Sequence, residues 1–511
     1  MSFIETAREG VRLVEEGSQY VNGEVIENYD VPELMNRVVA WFPVEVMLDP
    51  SLSNSQQHRL AVGFDNMTGL LKVIRKKLSD PEADHEKAWH LGKSLMTSIR
   101  NSVKRTLPDD SDSDSNFDSS NDGSNGDDDE VDLYSAFIAP VVDCTQRFLL
   151  PKFVTFPIML VLGFIKTGAI VSAIDVSEEE NGSDEGSNKD PTNFAASVQN
   201  SFHAICTAIS SHIPQICNLL QGGTANSQGR RKVLELCERI SRRNPELIPS
   251  ILDNIYPFIV TCIDSNTFHE LLYTRGGLTE FWIDVSPKAV LLPLDRQGFR
   301  HLLTIAFKSL EYVVSNPSRM KESSQLLSRY DTLIAEVSCN DVLFDAIYTL
   351  ISDNDQYLIE SLLSLTKLTE LLKSNDTTKG NVMHRQAPTI SRVIDTWTPL
   401  FVFSKFLETT GFDTSILVDL LMSSETKFLE FLLLFVKNWT SQIVENEFRD
   451  DEDDDNKVPK KRRKTESSKV LQVLEELVDK LGDLNASGLF PYNPTPLLRR
   501  IRILLDKIGM N

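Results

Sequence analysis

Val233-Leu234-Glu235-Leu236-Cys237-Glu238-Arg239-Ile240-Ser241-Arg242-Arg243-Asn244-Pro245-Glu246-Leu247 is the stretch that decides the fold class. Val233, Cys237 and Ile240, with Leu234 and Leu236 beside them, recur at three- and four-residue spacing, the period of one buried helical face. Arg242-Arg243-Asn244-Pro245-Glu246 breaks that helix. Pro245 suits the first turn of the next one, because its missing N–H would have no partner there anyway. A second apolar helix runs from Leu247 to about Cys262. Helix, short turn with proline, helix is the elementary unit of a helical solenoid.

The pattern continues downstream. Phe299 to Val314 reads as a helix stopped at Asn316-Pro317, and residues 322–337 give another through Leu326, Leu327, Tyr330, Leu333 and Ile334. Asp341 can cap a helix through Ile351, Asp353-Asn354-Asp355 ends it, and Tyr357 to Leu372 resumes. Such pairs recur at roughly the 40-residue scale of HEAT and armadillo units. Strand signals are few, and the best, Phe281-Trp282-Ile283-Asp284-Val285, is isolated. The expected fold is therefore all-α, an irregular armadillo/HEAT-like helical solenoid with disordered acidic loops. The expected divisions are helical regions at 1–108, 133–176 and 193–444, loops at 109–132, 177–192 and 445–468, and capping helices at 469–511.

Charge defines those loops. The chain has 52 Lys and Arg against 74 Asp and Glu, a net charge of -22. Residues 109–132 hold eleven acids and no base, while 177–190 and 449–455 each hold six acids and one base. These tracts carry nearly all the excess, so the helical body is close to neutral. Such tracts bury too little apolar surface to order themselves. The acidic balance argues against an extended, non-specific grip on nucleic acid, which needs clustered Lys and Arg. Six cysteines without a CxxC pair, behind an N-terminus with no secretory pattern, suggest a reducing compartment and buried thiols. Phe153 to Ile174 is the one membrane candidate, and Pro157 and Lys166 interrupt it, which favours a buried core segment.

The sharpest short feature is Pro459-Lys460-Lys461-Arg462-Arg463-Lys464, five consecutive cations after a proline. An extended, accessible basic peptide suits an import receptor, so the run reads as a nuclear localisation signal rather than a charge patch balancing Asp450 to Asp455. Ser111, Ser115, Ser119 and Ser124 each have an acid three residues on, the spacing an acid-directed kinase reads. An unmodified acidic spacer, or one that holds a basic partner, fits the same residues.

No catalytic or metal constellation forms. His203, Cys206, His212 and Cys217 lie along one helical stretch at spacings that cannot converge on zinc. His85-Glu86-Lys87-Ala88-Trp89-His90 puts its second histidine five residues on, where HExxH needs four. Gly222 to Lys232 lacks the Gly-Lys-Ser/Thr ending of a phosphate loop and reads as a mobile helix connection. With no GxSxG, kinase or dinucleotide fingerprint, the expectation is a non-enzyme with no cofactor and no small-molecule substrate.

The last hundred residues are the most distinctive. Gly411 to Leu421 leads into Met422-Ser423-Ser424-Glu425-Thr426 and a leucine-rich helix through Trp439. After the charged loop come Val470 to Leu481 and then Phe490-Pro491-Tyr492-Asn493-Pro494-Thr495-Pro496-Leu497-Leu498. This arrangement, over about 411–505, resembles the C-terminal region of the Lines family. The resemblance implies an armadillo-like, non-enzymatic protein that modulates developmental signalling and transcription and moves between cytoplasm and nucleus. The expected partners are proteins, an import receptor for the basic run and an unidentified signalling or transcription partner, with no direct nucleic acid and no membrane. Physically, Tyr492 ahead of Asn493-Pro494 and Pro496 fixes an extended turn, and Leu497, Leu498, Ile501, Leu504 and Leu505 form the stripe of a closing helix. Ser423, Ser424 and Thr426 read as helix-start residues. The rival readings are an acidic nuclear chaperone for histones or ribosome-assembly factors and, third, an enzyme of unfamiliar class.

Overall fold

The computed structural model describes residues 3–22, 30–41, 43–49, 51–80, 85–106, 126–148, 151–174, 191–221, 227–265, 294–315, 354–374, 398–423, 426–447 and 460–508, with a few isolated positions between. Among these residues every element is helical. The chain forms two compact units: Met1–Ser265 with Leu278–His301, and Asn266–Gly277 with Leu302–Asn511.

The first unit contains α1 (Phe3–Asn22), α2 (Val31–Val39), α3 (Val44–Leu48), α4 (Asn54–Leu78), α5 (Glu86–Thr106), α6 (Gly126–Arg147), α7 (Pro151–Val171), α8 (Pro191–Ser211), α9 (Ile213–Gln221), α10 (Ser227–Arg243) and α11 (Ile248–Asp264). Local chemistry sets several starts. Asp30 accepts from the Glu33 N–H at 2.9 Å to open α2. Ser53 and Gln56 exchange side-chain and backbone hydrogen bonds in a capping box at the head of α4. Asn244 accepts from the Glu246 N–H at 3.2 Å, and Pro245 opens the single 3-10 turn that precedes α11, as its sequence position requires.

These helices stack with a period of three. α1 packs on α4, α4 on α7 and α7 on α10; α2 packs on α5 and α5 on α8; α3 packs on α6 and α6 on α9. From α1 to α7 the helices thus pack on the equivalent helix of the next triplet, the translational packing of a helical solenoid, while α8 also packs on α6 and α11 packs on α9. The sequence pattern suggests helix pairs as the unit. In this half, the short α3 and α9 complete a third member that periodicity alone leaves out. Close approach depends on small residues: a Cβ at Gly17 in α1 would meet Leu70 of α4 at 2.5 Å, and one at Gly168 in α7 would meet the Cys206 sulfur of α8 at 2.7 Å. Phe64, Phe137, Phe164 and Phe202 are fully buried in the core, with Phe137 and Phe164 edge to face at 6.4 Å.

The membrane candidate becomes α7, whose Leu160, Val161, Leu162, Phe164 and Ile165 are buried. A second stretch, Pro245–Asp264, is long and apolar enough to cross a membrane by length and composition. Its Ile251, Leu252, Ile255, Phe258 and Ile259 are buried inside the unit, as in a core helix.

Several loop boundaries are corrected. α6 begins at Gly126, so Asp127 to Asp132 fall in its first turns, where the helix dipole favours negative charge. α8 begins at Pro191 and α10 at Ser227, so Ser227 to Lys232 belong to a helix rather than a connection. α8 and α9 are separate helices that part at His212.

α12 (Arg296–Ser315) crosses the unit boundary in sequence. The second unit continues with α13 (Asp355–Ser374), α14 (Pro399–Thr409), α15 (Thr414–Met422), α16 (Phe428–Glu447), α17 (Lys460–Ala486) and α18 (Thr495–Ile508). Its core is an aromatic column in which Phe403 touches Phe406, Phe431 and Phe435 at ring separations of 6.0, 5.6 and 4.8 Å. Trp439 extends the column at 5.6 Å from Phe435. Asn354 caps α13 by accepting from the Tyr357 N–H at 3.2 Å. The predicted helix at 341–351 and the strand at 281–285 lie outside the described residues, as does 322–337 apart from Ser328, Asp331 and Ala335, which are helical.

Candidate functional site

The C-terminal motif closes the second unit. α17 ends at Ala486, Gly488 just beyond it has the φ of +66° of a left-handed cap, and the Leu489 N–H returns to the Leu484 carbonyl at 2.9 Å. Phe490 is buried and meets Tyr492 edge to face at 4.6 Å. The Tyr492 hydroxyl donates to the Leu421 carbonyl at 2.5 Å, tying the loop to the end of α15, and burial pushes the phenol pKa up. Asn493 then accepts from the Thr495 N–H at 3.0 Å and starts α18. Leu497, Leu498, Ile501, Leu504 and Leu505 are buried, and α18 packs on α16 and α17. The closing stripe read from sequence is thus in place, and the Phe-Pro-Tyr-Asn-Pro stretch of Phe490, Pro491, Tyr492, Asn493 and Pro494 is its hinge.

The neighbouring Ser-Ser-Glu-Thr segment works otherwise than expected. Asp413 opens α15 by accepting from the Ser415 N–H at 2.8 Å, and Ser423 ends that helix. Thr426 donates to the Leu420 carbonyl at 3.2 Å, and α16 starts at Phe428. Ser423 and Thr426 therefore finish one helix instead of starting another: Thr426 turns back to α15, and it is the Lys427 carbonyl that takes the first bond of α16, from the Phe431 N–H at 3.0 Å. The preceding turn is left-handed at Gly411 (φ 66°) and Phe412 (φ 60°), with the Lys469 ammonium 5.2 Å from the Phe412 ring.

The basic run lies differently from its reading as an extended segment. α16 reaches Glu447 and α17 begins at Lys460, so Lys460, Lys461, Arg462, Arg463 and Lys464 form the first turns of a helix. Lys and Arg are good helix formers, and no Gly or Pro interrupts from Lys460 until Gly482. Pro459 lies outside the described residues, as do Ser111, Ser115, Ser119 and Ser124.

Sequence reasoning missed a charge cluster on α10. Glu235 takes Lys166 of α7 as an ion-pair partner and accepts from Lys232 at 2.7 Å. Burial opposes its ionisation, but the two ammonium groups outweigh that and hold its pKa at about 2. Glu238 lies 2.5 Å from His301 Nδ1 and pairs with Arg242; burial again opposes ionisation, and those partners hold the carboxyl below its ordinary range. Arg231 faces Asp295 at 3.3 Å. The signal was available: Lys166 in an otherwise apolar stretch demands a carboxylate partner. Each carboxylate has its cations in direct contact, the arrangement of a structural ion network.

The residues weighed for zinc face different partners. Cys206 lies 3.9 Å from the Phe164 carbonyl, His203 3.5 Å from Arg243, and His212 3.4 Å from Ser135. Cys217 meets Cys237 with the sulfurs 3.6 Å apart, both as buried thiols. Among the described residues no group of three or more His, Cys, Asp or Glu is placed to hold a metal.

Fold and site together define a class: an all-α, solenoid-type protein whose C-terminal unit is sealed by a hinge and a closing helix. Residues 295–443 match the family model described as Lines N-terminus, and residues 470–504 match Lines C-terminus. The C-terminal region of the chain is thus similar to Lines proteins over these two stretches. The resemblance first read over 411–505 therefore reaches upstream to residue 295, across helices whose sequence had shown only general helical character. Lines domains are not known enzymatic folds. No curated protein matches the chain.

Proposed function

We propose that this chain is a non-enzymatic, protein-binding scaffold of the Lines type, acting in developmental signalling or transcription and moving between cytoplasm and nucleus. The observation that carries the reading is the pair of Lines matches on a helical body. The three-helix period of the first unit supports an armadillo-type architecture, whose usual work is to bind peptides or domains along an extended surface. The basic run Lys460–Lys464 supplies the address for import. Presented at the start of α17, it engages an import receptor after local fraying of that helix end, where unwinding costs least. Imaging a fluorescent fusion with Lys460 to Lys464 replaced by alanine tests this. The reading expects the nuclear fraction to fall several-fold; an unchanged distribution overturns the import assignment.

A further inference from the structure

The ion network around Glu235 holds more positive charge than one carboxylate can balance. Lys166 of α7 pairs with it, and on α10 itself Lys232 lies at 2.7 Å and Arg239 at 3.7 Å. A fourth cation, Arg75 of α4, is within electrostatic reach of both Glu235 and Arg239. Its guanidinium forms no hydrogen bond or ion pair of its own among the described residues. Burial, and then the like charge of Arg239, hold the Arg75 pKa below its usual value, and Glu235 only partly offsets them. Cations from three helices therefore share a single acid.

Helix packing sets where the surplus charge sits. A Cβ at Gly163 would lie 3.9 Å from the Thr68 methyl, and the Thr167 hydroxyl is 3.4 Å from the Leu71 carbonyl, so α4 and α7 run parallel. Arg75 stands one turn beyond Leu71, and Arg239 one turn beyond Glu235, on the two helices that pack against α7. One turn beyond Lys166, α7 presents the exposed Ala169, which supplies no anion. The Arg239 side chain is 43% exposed and Arg75 is partly so, which leaves both guanidinium groups open to solvent. Lys166 and Lys232, held by Glu235, lie deeper.

That arrangement selects a ligand. Two guanidinium groups that repel one another are reconciled by an anion with several acceptor oxygens set between them. A carboxylate brings one charge and two oxygens. A phosphate monoester brings a charge of about -1.5 to -2 and three strong acceptors, closer to the surplus. An extended nucleic-acid strand needs a longer track of cations, and it meets a chain of net charge -22. We propose that Arg75 and Arg239, backed by Lys166 and Lys232, form a phosphate site across α4, α7 and α10 that takes a phosphorylated side chain of a partner protein. The site rests on the reading of this chain as a protein-binding body and is independent of the import reading.

The experiment uses the full chain and three fluorescein-labelled peptide pools, randomised alike around a central phosphoserine, serine or glutamate. Binding is read by fluorescence anisotropy. The phosphoserine pool is expected to bind at least tenfold tighter than the serine pool and tighter than the glutamate pool, with affinity falling as salt rises. Arg75→Gln with Arg239→Gln should weaken phosphoserine binding at least tenfold and leave the serine pool unchanged. Arg75→Gln alone should weaken it several-fold while the melting temperature stays level or rises, because a repulsive neighbour of Arg239 is gone. Equal binding of the phosphoserine and serine pools overturns the proposal, as does a preference for glutamate or a phosphoserine preference that survives the double substitution. An Arg75→Gln chain that melts lower yet binds as the intact chain marks a structural cation and overturns it too. Failure of the protein-binding reading shows separately, as an absence of specific neighbours in cells; specific neighbours with no phosphoserine preference sink this site alone.

Discussion

Glu235 and Glu238 show how single residues set the stability of the first unit. The pKa of Glu235 is about 2 in the folded chain against an ordinary value near 4.5. A depressed carboxylate stabilises fully above the unfolded value, and the contribution is lost as pH falls through the folded one. The unit should therefore lose stability between about pH 4.5 and pH 2. Glu235→Gln should flatten that acid limb and cost about 2–3 kcal/mol at neutral pH, because Lys166 loses its partner; urea titrations across the pH range check both. At the other end of the chain, Tyr492→Phe removes the hydrogen bond to Leu421 and should cost about 1 kcal/mol with little other change. Neither contact was legible from sequence alone. Glu235 sits three residues before Glu238 on a helix whose apolar stripe is clear, and sequence gives no reason to place either carboxylate inward. Only Lys166, isolated among apolar neighbours, hinted at a buried pair.

At the scale of elements, the caps and closing helices do most to fix the fold. Gly488 has a φ of +66°, so Gly488→Val should cost about 1–2 kcal/mol by forcing a branched residue into the left-handed region. Leu504→Ala should cost about 2–5 kcal/mol, because the side chain is fully buried between packed helices. Thermal melts of the two variants, compared with the intact chain, check the order. Much at this scale was legible: the α10–α11 pair, the proline that separates them, and the stripe of α18 all stand where the period of the apolar residues put them. The period of three was not, since α1 on α4 or α7 on α10 are contacts between residues distant in the chain. Close contacts at Gly17 against α4 and at Gly168 against α8 set how near these helices come, and a lone glycine in a helical pattern does not reveal its neighbour. The helical start at Lys460 was missed for the opposite reason. The charge run drew attention to its exposure, while its residue types favour helix.

Taken as a whole molecule, the chain divides its work between described helical units and acidic tracts that carry nearly all of its net charge. Composition alone separated those two parts, and the Lines matches fall in the C-terminal region where the sequence was most distinctive. The account's central claim is that this body binds proteins and is carried to the nucleus by Lys460 to Lys464. Proximity labelling in cells, comparing the intact chain with one in which those five residues are alanine, tests it most directly. The account predicts a set of nuclear transcription regulators around the intact protein that disappears with the substitution. An unchanged, mainly cytoplasmic set of neighbours would contradict it.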